Sequence, residues 1–219
     1  GRRSPDSRPH QYVLIDMGEI QVIPPALERL VRSFSSLPGI GAKTATRLAL
    51  TILRKPASEA REMAAALSEL HGSIRLCSQC MAFSETEPCS VCGDPRRDSS
   101  LVCVVEQPAD LLAIEKTDHY RGHYHILHGV LSPVDGIGPA ELKVKELIAR
   151  LDAGSIQEVL IATSSTVPGE ATASYLIDAL GRFSIRLTRL ACGIPMGMDI
   201  KYADQHTLAR AIESRSEAL

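Results

Sequence analysis

Two Cys-x-x-Cys knuckles, Cys77–Cys80 and Cys89–Cys92, stand eight residues apart in this chain of 219 residues. Each knuckle can present two thiolates on one side of a tight turn. Two knuckles close a tetrahedral four-sulfur shell, which suits Zn²⁺. Disulfides or a redox Cys-x-x-Cys pair are the rival readings. Disulfides fit poorly, because the N-terminus shows no secretion-signal pattern of basic end, apolar core and small-residue cleavage site. Four protein ligands leave no open coordination position, so the centre is read as structural and not catalytic. It is expected to clip the N-terminal part of the chain to the C-terminal part. Gly93 is expected to give the second knuckle a positive φ. Cys103 lies in an apolar strand and reads as a small buried residue. Cys192, in the stretch ACGIP, has no nucleophile surroundings in the sequence.

The pattern before the knuckles is helical. Residues 25–36 carry Leu27, Leu30, Val31 and Phe34 at helical spacing. Residues 42–54 carry Ala45, Leu48, Ala49 and Ile52 on one face, and a third helical pattern covers 57–76, starting near Ser58 as its cap. Between the first two helices lies LPGIG, residues 37–41. Gly39 and Gly41 open backbone angles closed to other residues and leave amides bare for a phosphate oxygen at the following helix N-terminus. Lys43 and Arg47, one turn apart, can flank the same DNA backbone. This is the pattern of a helix-hairpin-helix, which holds DNA without reading bases. A plain αα-hairpin, with the glycines serving only the turn, is the alternative. The whole chain carries a net charge of −2, so any basic surface must be local. Residues 17–76 hold eight Lys or Arg against five Asp or Glu, a mild local excess. Residues 1–16, rich in Arg, Pro and Ser and followed by Met17, are read as a non-native remnant or a flexible upstream extension.

From residue 101 the rhythm changes. Strand-like runs at 101–106, 124–128, 156–163 and 185–191 alternate with helical stretches, the last near 204–214. Such alternation indicates βαβ units and a mostly parallel sheet, hence an α/β fold. No apolar run approaches the roughly 18 residues a membrane helix needs, and a cytoplasmic, nucleoid-associated location without membrane contact is expected.

The stretches LPGIGAKTATRLAL, CGDPRRDSSLVCVVEQPADLLAIE, YHILHGVLSPVDGIGP, TVPGEATASYL and YADQHTLARAIE closely resemble, in order, the RecR family of bacterial recombination mediators. The resemblance runs from about residue 25 to 215. It implies a helix-hairpin-helix domain at 17–76, a Cys₄ zinc finger at 77–98, a Toprim-like α/β domain at 99–191 and a short C-terminal helical tail at 192–219. It also implies DNA binding, single-stranded and duplex, by Gly39, Gly41, Lys43 and Arg47. The partners it implies are RecO and RecF, acting to load RecA onto single-stranded DNA coated with SSB. A homotetrameric ring able to encircle DNA is implied as well. The chain departs from the family where ATNPTVEGEATA reads ATSSTVPGEATA, and where GGDLEYADE reads GMDIKYADQ, with Lys201 and Gln205 replacing acids. Those changes weaken any case for nucleotide binding, and no G-x-x-x-x-G-K-[ST] motif appears.

Toprim enzymes need a Glu at one strand end and an Asp-x-Asp pair at another to hold Mg²⁺ against a phosphate. Glu106 supplies the first, but the strand 156–163 runs into Ser164, Ser165 and Thr166. The nearest acid, Glu170, suits the first turn of the next helix. Glu106, Asp110 and Glu170 could cluster as a weak divalent site, and the resemblance implies partner binding for them. A non-enzymatic DNA-binding mediator is therefore expected. The alternative is a Mg²⁺-dependent Toprim nuclease or primase-like enzyme, and a third reading is a purely protein-binding zinc module. HYRGHYHILHG, 119–129, offers a second metal site through His123 and His125, or a DNA-facing loop through Tyr120 and Arg121. Hydrogen-bonded structural histidines are the plainer reading of His125 and His128.

Overall fold

A computed structural model describes residues 23–215. The reading of residues 1–16 lies outside the described residues. The chain divides into two compact units between Glu69 and Leu70.

The first unit is helical: α1 (Pro25–Ser35), α2 (Ala42–Arg54) and α3 (Ala57–Ser73), whose last turn runs past the division. Ala45 and Ala49, one turn apart on α2, are fully buried. Their small side chains let α1 approach α2 closely. Gly39 turns the connection with φ +78°, a conformation costly for any residue with a Cβ. Gly41 does not share that need. It is the N-cap of α2 at φ −78° and ψ 165°, ordinary extended backbone. α3 starts at Ala57, so Ser58 lies inside its first turn and is not the cap. The helix stops at Ser73, and Arg75–Leu76 is a short strand, β1, not a helical end.

In the second unit, β1 pairs antiparallel with β2 (Phe83–Ser84) to form the base of the cysteine finger. β3 (Asp98–Val105), β4 (Gly122–Ile126), β5 (Glu158–Ile161) and β6 (Arg186–Arg189) form a wholly parallel sheet in the order β4-β3-β5-β6. α4 (Pro108–Glu115), α5 (Val144–Asp152) and α6 (Val167–Leu180) are the crossovers, and α7 (Gln205–Glu213) comes last. The period-2 alternation of β3 sorts its side chains between two cores. Val102 and Val104 join Leu147, Leu151, Leu176 and Leu180 of α5 and α6. Cys103 and Val105 join Leu111, Tyr124, Ile126 and Met81 on the other face. Both faces are covered, which is why β3 reads as an unbroken apolar run.

Two helices start elsewhere than expected. α5 begins at Val144 and not at 140, because residues 139–142 form turns. α6 begins at Val167, three residues earlier than its acidic start suggests, with Pro168 in the first turn and Thr166 as cap, its Oγ1 accepting from Gly169 N. From β3 the chain crosses to β4 on one side, and the following crossover sets β5 on the other. The carboxyl ends of β3 and β5 are therefore the switch point, where open α/β sheets place their ligand crevices.

Candidate functional site

The four knuckle cysteines come together. Their sulfurs all lie within 4.8 Å of one another, and Cys80 and Cys89 Sγ are 3.5 Å apart. Zn–S bonds of about 2.3 Å in a tetrahedron put sulfurs about 3.8 Å apart, so the cluster fits that ion. Cys77, Cys80 and Cys89 are buried. Glu87 fixes the first knuckle by accepting from Ser78 N at 3.1 Å and Ser78 Oγ at 2.7 Å. The left-handed residue of the finger is Met81, φ 62°, directly after Cys80. Gly93, expected to hold that role, has no positive φ. Its need for no side chain is steric: a Cβ there would stand 3.3 Å from the Cys89 carbonyl oxygen. Without metal, the Cys92 thiol hydrogen bond pulls Cys80 down to about 5. Burial, then the charge of Cys80, pushes Cys89 up to about 11. Zn²⁺ therefore enters by displacing protons, and its hold weakens as pH falls.

The finger is seated on the sheet. Ile126 N donates to Cys80 O at 2.9 Å, His128 Nε2 donates to Met81 O at 2.7 Å, and Arg150 Nη1 donates to Gln79 O at 3.2 Å. These contacts cover the β4 edge. His125 Nε2 donates to Lys143 O at 2.6 Å, and His123 Nδ1 accepts from Arg150 at 3.2 Å. The two histidines are structural, and the metal reading of this stretch is not supported by their geometry. Tyr120 donates to His123 O and packs at a tilt against the Tyr124 ring, while Arg121 pairs with Asp118. Arg97, in the linker from the finger, pairs with Glu115, which also accepts from Tyr124. Neither the Arg150 nor the Arg97 contacts are marked by local spacing; their partners lie 18 or more residues away.

At the hairpin, Lys43 and Arg47 are exposed on the first turns of α2. The Gly41 cap offers no side-chain acceptor, so the first amides of α2 have no side-chain partner there.

At the switch point the three acids do not form one cluster. Glu106 Oε1 accepts from Ser164 N at 2.6 Å, across from β3 to the loop after β5. Asp110 accepts from Gln107 N at 2.8 Å and closes the α4 capping box. Glu170 takes Arg189 through both oxygens, at 2.8 and 3.1 Å, and Arg210 of α7 at 3.4 Å. Arg189 holds the Glu170 carboxyl below the usual carboxylate range. Glu106 and Asp110 line a cleft of about 340 Å³ with Thr163, Ser164, Ser165 and Arg189. Among the described residues, the cysteines are the one group of three or more His, Cys, Asp or Glu placed to hold a metal. Arg189 and Arg210 are the site residues that sequence reading missed. They lie 19 and 40 positions beyond Glu170, too far for any periodic signal.

Among the described residues no helix is long and apolar enough to cross a membrane. Residues 27–71 match the family described as RecR, helix-hairpin-helix, and residues 74–94 match RecR, Cys₄-zinc finger domain. Residues 100–191 match Toprim domain, and 193–216 match RecR, C-terminal. A recombination protein RecR from Anaeromyxobacter sp. (strain Fw109-5) is 52% identical over 191 residues, covering 87% of this chain and 96% of the relative. One from Moorella thermoacetica is 52% identical over 194 residues, covering 89% and 98%. One from Heliobacterium modesticaldum is 48% identical over 189 residues, covering 86% and 95%. With a hairpin, a Cys₄ zinc finger, a parallel α/β domain and a terminal helix in that order, this chain belongs to the RecR family of recombination proteins.

Proposed function

We propose that the chain is a non-enzymatic DNA-binding mediator of recombinational repair. In this reading it works with RecO, and with RecF, to help load RecA onto SSB-coated single-stranded DNA. It acts as a ring-shaped tetramer around DNA in the bacterial cytoplasm. The observation that carries the non-enzymatic part is the use made of Glu106. Two-metal work on a phosphodiester needs several carboxylates turned to one point. Here the one Toprim acid accepts the Ser164 amide, and hydroxyls stand where the pair belongs. DNA is held at the α2 N-terminus, with Lys43 and Arg47 beside the backbone and no base readout. Glu106 and Asp110, half exposed at the mouth of the cleft, serve a protein partner.

Labelled single-stranded and partly duplex DNA is titrated by fluorescence anisotropy at two salt concentrations, with and without Mg²⁺ and RecO. Wild type is compared with Lys43→Ala/Arg47→Ala, and each sample is run on a denaturing gel. Salt-sensitive, Mg²⁺-independent binding, weaker in the double variant, with intact DNA is expected. Mg²⁺-dependent cleavage lost in Glu106→Gln would overturn the reading.

A further inference from the structure

The two knuckles of the finger are not equivalent. Cys77, Cys80 and Cys89 are buried, and Cys92 alone of the four is half-exposed. The first knuckle is tied down. Glu87 holds Ser78, Cys80 O holds Ile126 N, and Met81 enters the core beside β3. The second knuckle closes on itself, Gly93 N donating to Cys89 O at 2.8 Å, and Val91 packs beneath it. The Cys92 sulfur lies within 4.8 Å of the other three, and its thiol is hydrogen-bonded to Cys80. Zinc ligation requires thiolates, which are also the nucleophilic form of cysteine. The remaining cysteines lack this setting. Cys103 is fully buried in β3. Cys192 is half-exposed, but its sulfur meets Ser165 Oγ at 3.4 Å and Leu190 O at 3.7 Å, not a second sulfur. Oxidation selects a thiolate that is open to solvent and stands beside a resolving thiolate, and among the described residues Cys92 meets both conditions.

We propose that Cys92 is an oxidation site of the finger: a hydroperoxide oxidises it, Cys80 resolves it as a disulfide across the two knuckles, and Zn²⁺ is released. The inference rests on the structural zinc and is independent of the DNA-binding reading above. In the first step the Cys92 sulfur attacks one peroxide oxygen. The O–O bond breaks, hydroxide leaves, and Cys92 becomes a sulfenic acid. In the second step the Cys80 thiolate attacks the Cys92 sulfur, the S–O bond breaks and a second hydroxide leaves. The two sulfurs give up two electrons, and the peroxide takes them. Cys77 and Cys89 then remain as the ligands, two short of the four that close the shell. The change reaches the sheet because Cys80 carries both the resolving sulfur and the carbonyl that accepts Ile126 N. With the metal-held shape gone, that seat loosens and the β4 edge opens. A dithiol reverses the bond by thiol–disulfide exchange, so the modification is a switch and not a lesion.

The test treats the full chain, loaded with Zn²⁺ and carrying Cys192→Ser to remove the other open thiol, with hydrogen peroxide. Released Zn²⁺ is followed with a chromogenic indicator. Non-reduced peptides are mapped by mass spectrometry, and the Ile126 amide is followed by hydrogen exchange. Zn²⁺ release in step with a Cys80–Cys92 disulfide and with loss of Ile126 protection is expected. Dithiothreitol with added Zn²⁺ should restore that protection. Dimedone added at early times should label Cys92 before any other finger cysteine. Cys92→His keeps a zinc ligand but removes the attacked sulfur, and it should release Zn²⁺ at least about tenfold more slowly. Zn²⁺ retained at a peroxide dose that fully oxidises Cys192 in the wild type would sink the proposal. So would a disulfide confined to one knuckle, or a Zn²⁺-loaded Cys92→His that releases as fast as its parent. If Cys92→His does not take up Zn²⁺, the dimedone label decides: first on Cys92 it supports the proposal, first on another finger cysteine it overturns it.

Discussion

Glu106, Ser164 and Gly169 form the tightest point of the switch region. A Cβ at Gly169 would overlap the Ser164 carbonyl oxygen and Oγ and stand 2.9 Å from Glu106 Oε1. The close approach of α6 to the β5 loop thus needs glycine, and it lets Glu106 reach the Ser164 amide. Gly169→Ala is expected to cost about 3 kcal/mol, read from chemical denaturation, because backbone atoms must move. Glu106→Ala should cost about 1–2 kcal/mol by stranding the Ser164 N–H, and leave DNA affinity unchanged. A second residue-scale effect lies at His125, fully buried in β4. Burial pushes its imidazole down to about 4. The unfolded chain takes up a proton there near 6.5 while the folded chain does not, so stability falls as pH drops through that window. Between pH 7 and 5 the loss is about 2 kcal/mol. His125→Gln should flatten the pH dependence of the unfolding free energy by that amount, and an unchanged slope would place the effect elsewhere. The cysteine ligands and Glu106 were legible in the sequence, because spacing and a strand end announce them. Glu170 was legible as an acid in the first turn of α6, where it stands, but its partners Arg189 and Arg210 were not. Their pairing is made by three elements far apart in the chain.

At the scale of elements, the finger matters less as a domain than as a cover for a sheet edge. β4 is an edge strand, yet all five of its residues are buried. Its outer backbone would otherwise present free donors and acceptors to other chains. Cys80 O takes one of those donors, Ile126 N, and Met81 enters the core beside Cys103 and Val105. Zinc, by holding the knuckle's shape, holds this cover in place. Stripping zinc with a strong chelator, or Cys80→Ser, is expected to lower the melting temperature of the α/β unit by roughly 10 °C or more, with aggregation on heating. Hydrogen exchange should show Ile126 among the amides that lose protection. Retained protection at Ile126 in the zinc-free protein would mean that the knuckle keeps its seat unaided. The sequence revealed the alternation of strands and helices because each core face repeats at its own period. It did not reveal that the finger lies along β4, since the strand's histidines read as polar until their partners, the Lys143 carbonyl and Arg150, are seen. The element ends moved for local reasons. Thr166 outcompeted the acidic start as the α6 cap, and the 3₁₀ turn and bends after β4 delayed α5 to Val144.

At the scale of the whole molecule, the two units differ in how much they hide. The α/β unit buries two continuous cores. In the helical unit, among the described residues up to Glu69, Ala45 and Ala49 alone are buried, and Leu53 and Leu67 are 68% and 61% exposed. Burial stabilises by about 25 cal/mol per Å² of apolar area, and ordering a residue costs roughly 1–2 kcal/mol, so three helices with so small a core fall short alone. Assembly of the proposed kind would supply what is missing, because apolar faces left open in one copy can be covered by another. A fragment of residues 1–73 is therefore predicted to show little helix by circular dichroism when dilute. Its helical signal should rise with concentration, in step with its mass in sedimentation equilibrium. Replacing Leu53 and Leu67 with Glu in the full chain should shift assembly toward smaller species while the Zn²⁺ content and the α/β unit's melting stay as in wild type. A fragment that is fully helical and monomeric at every concentration would show that the hairpin unit needs no second copy, and would remove this physical support for assembly through it.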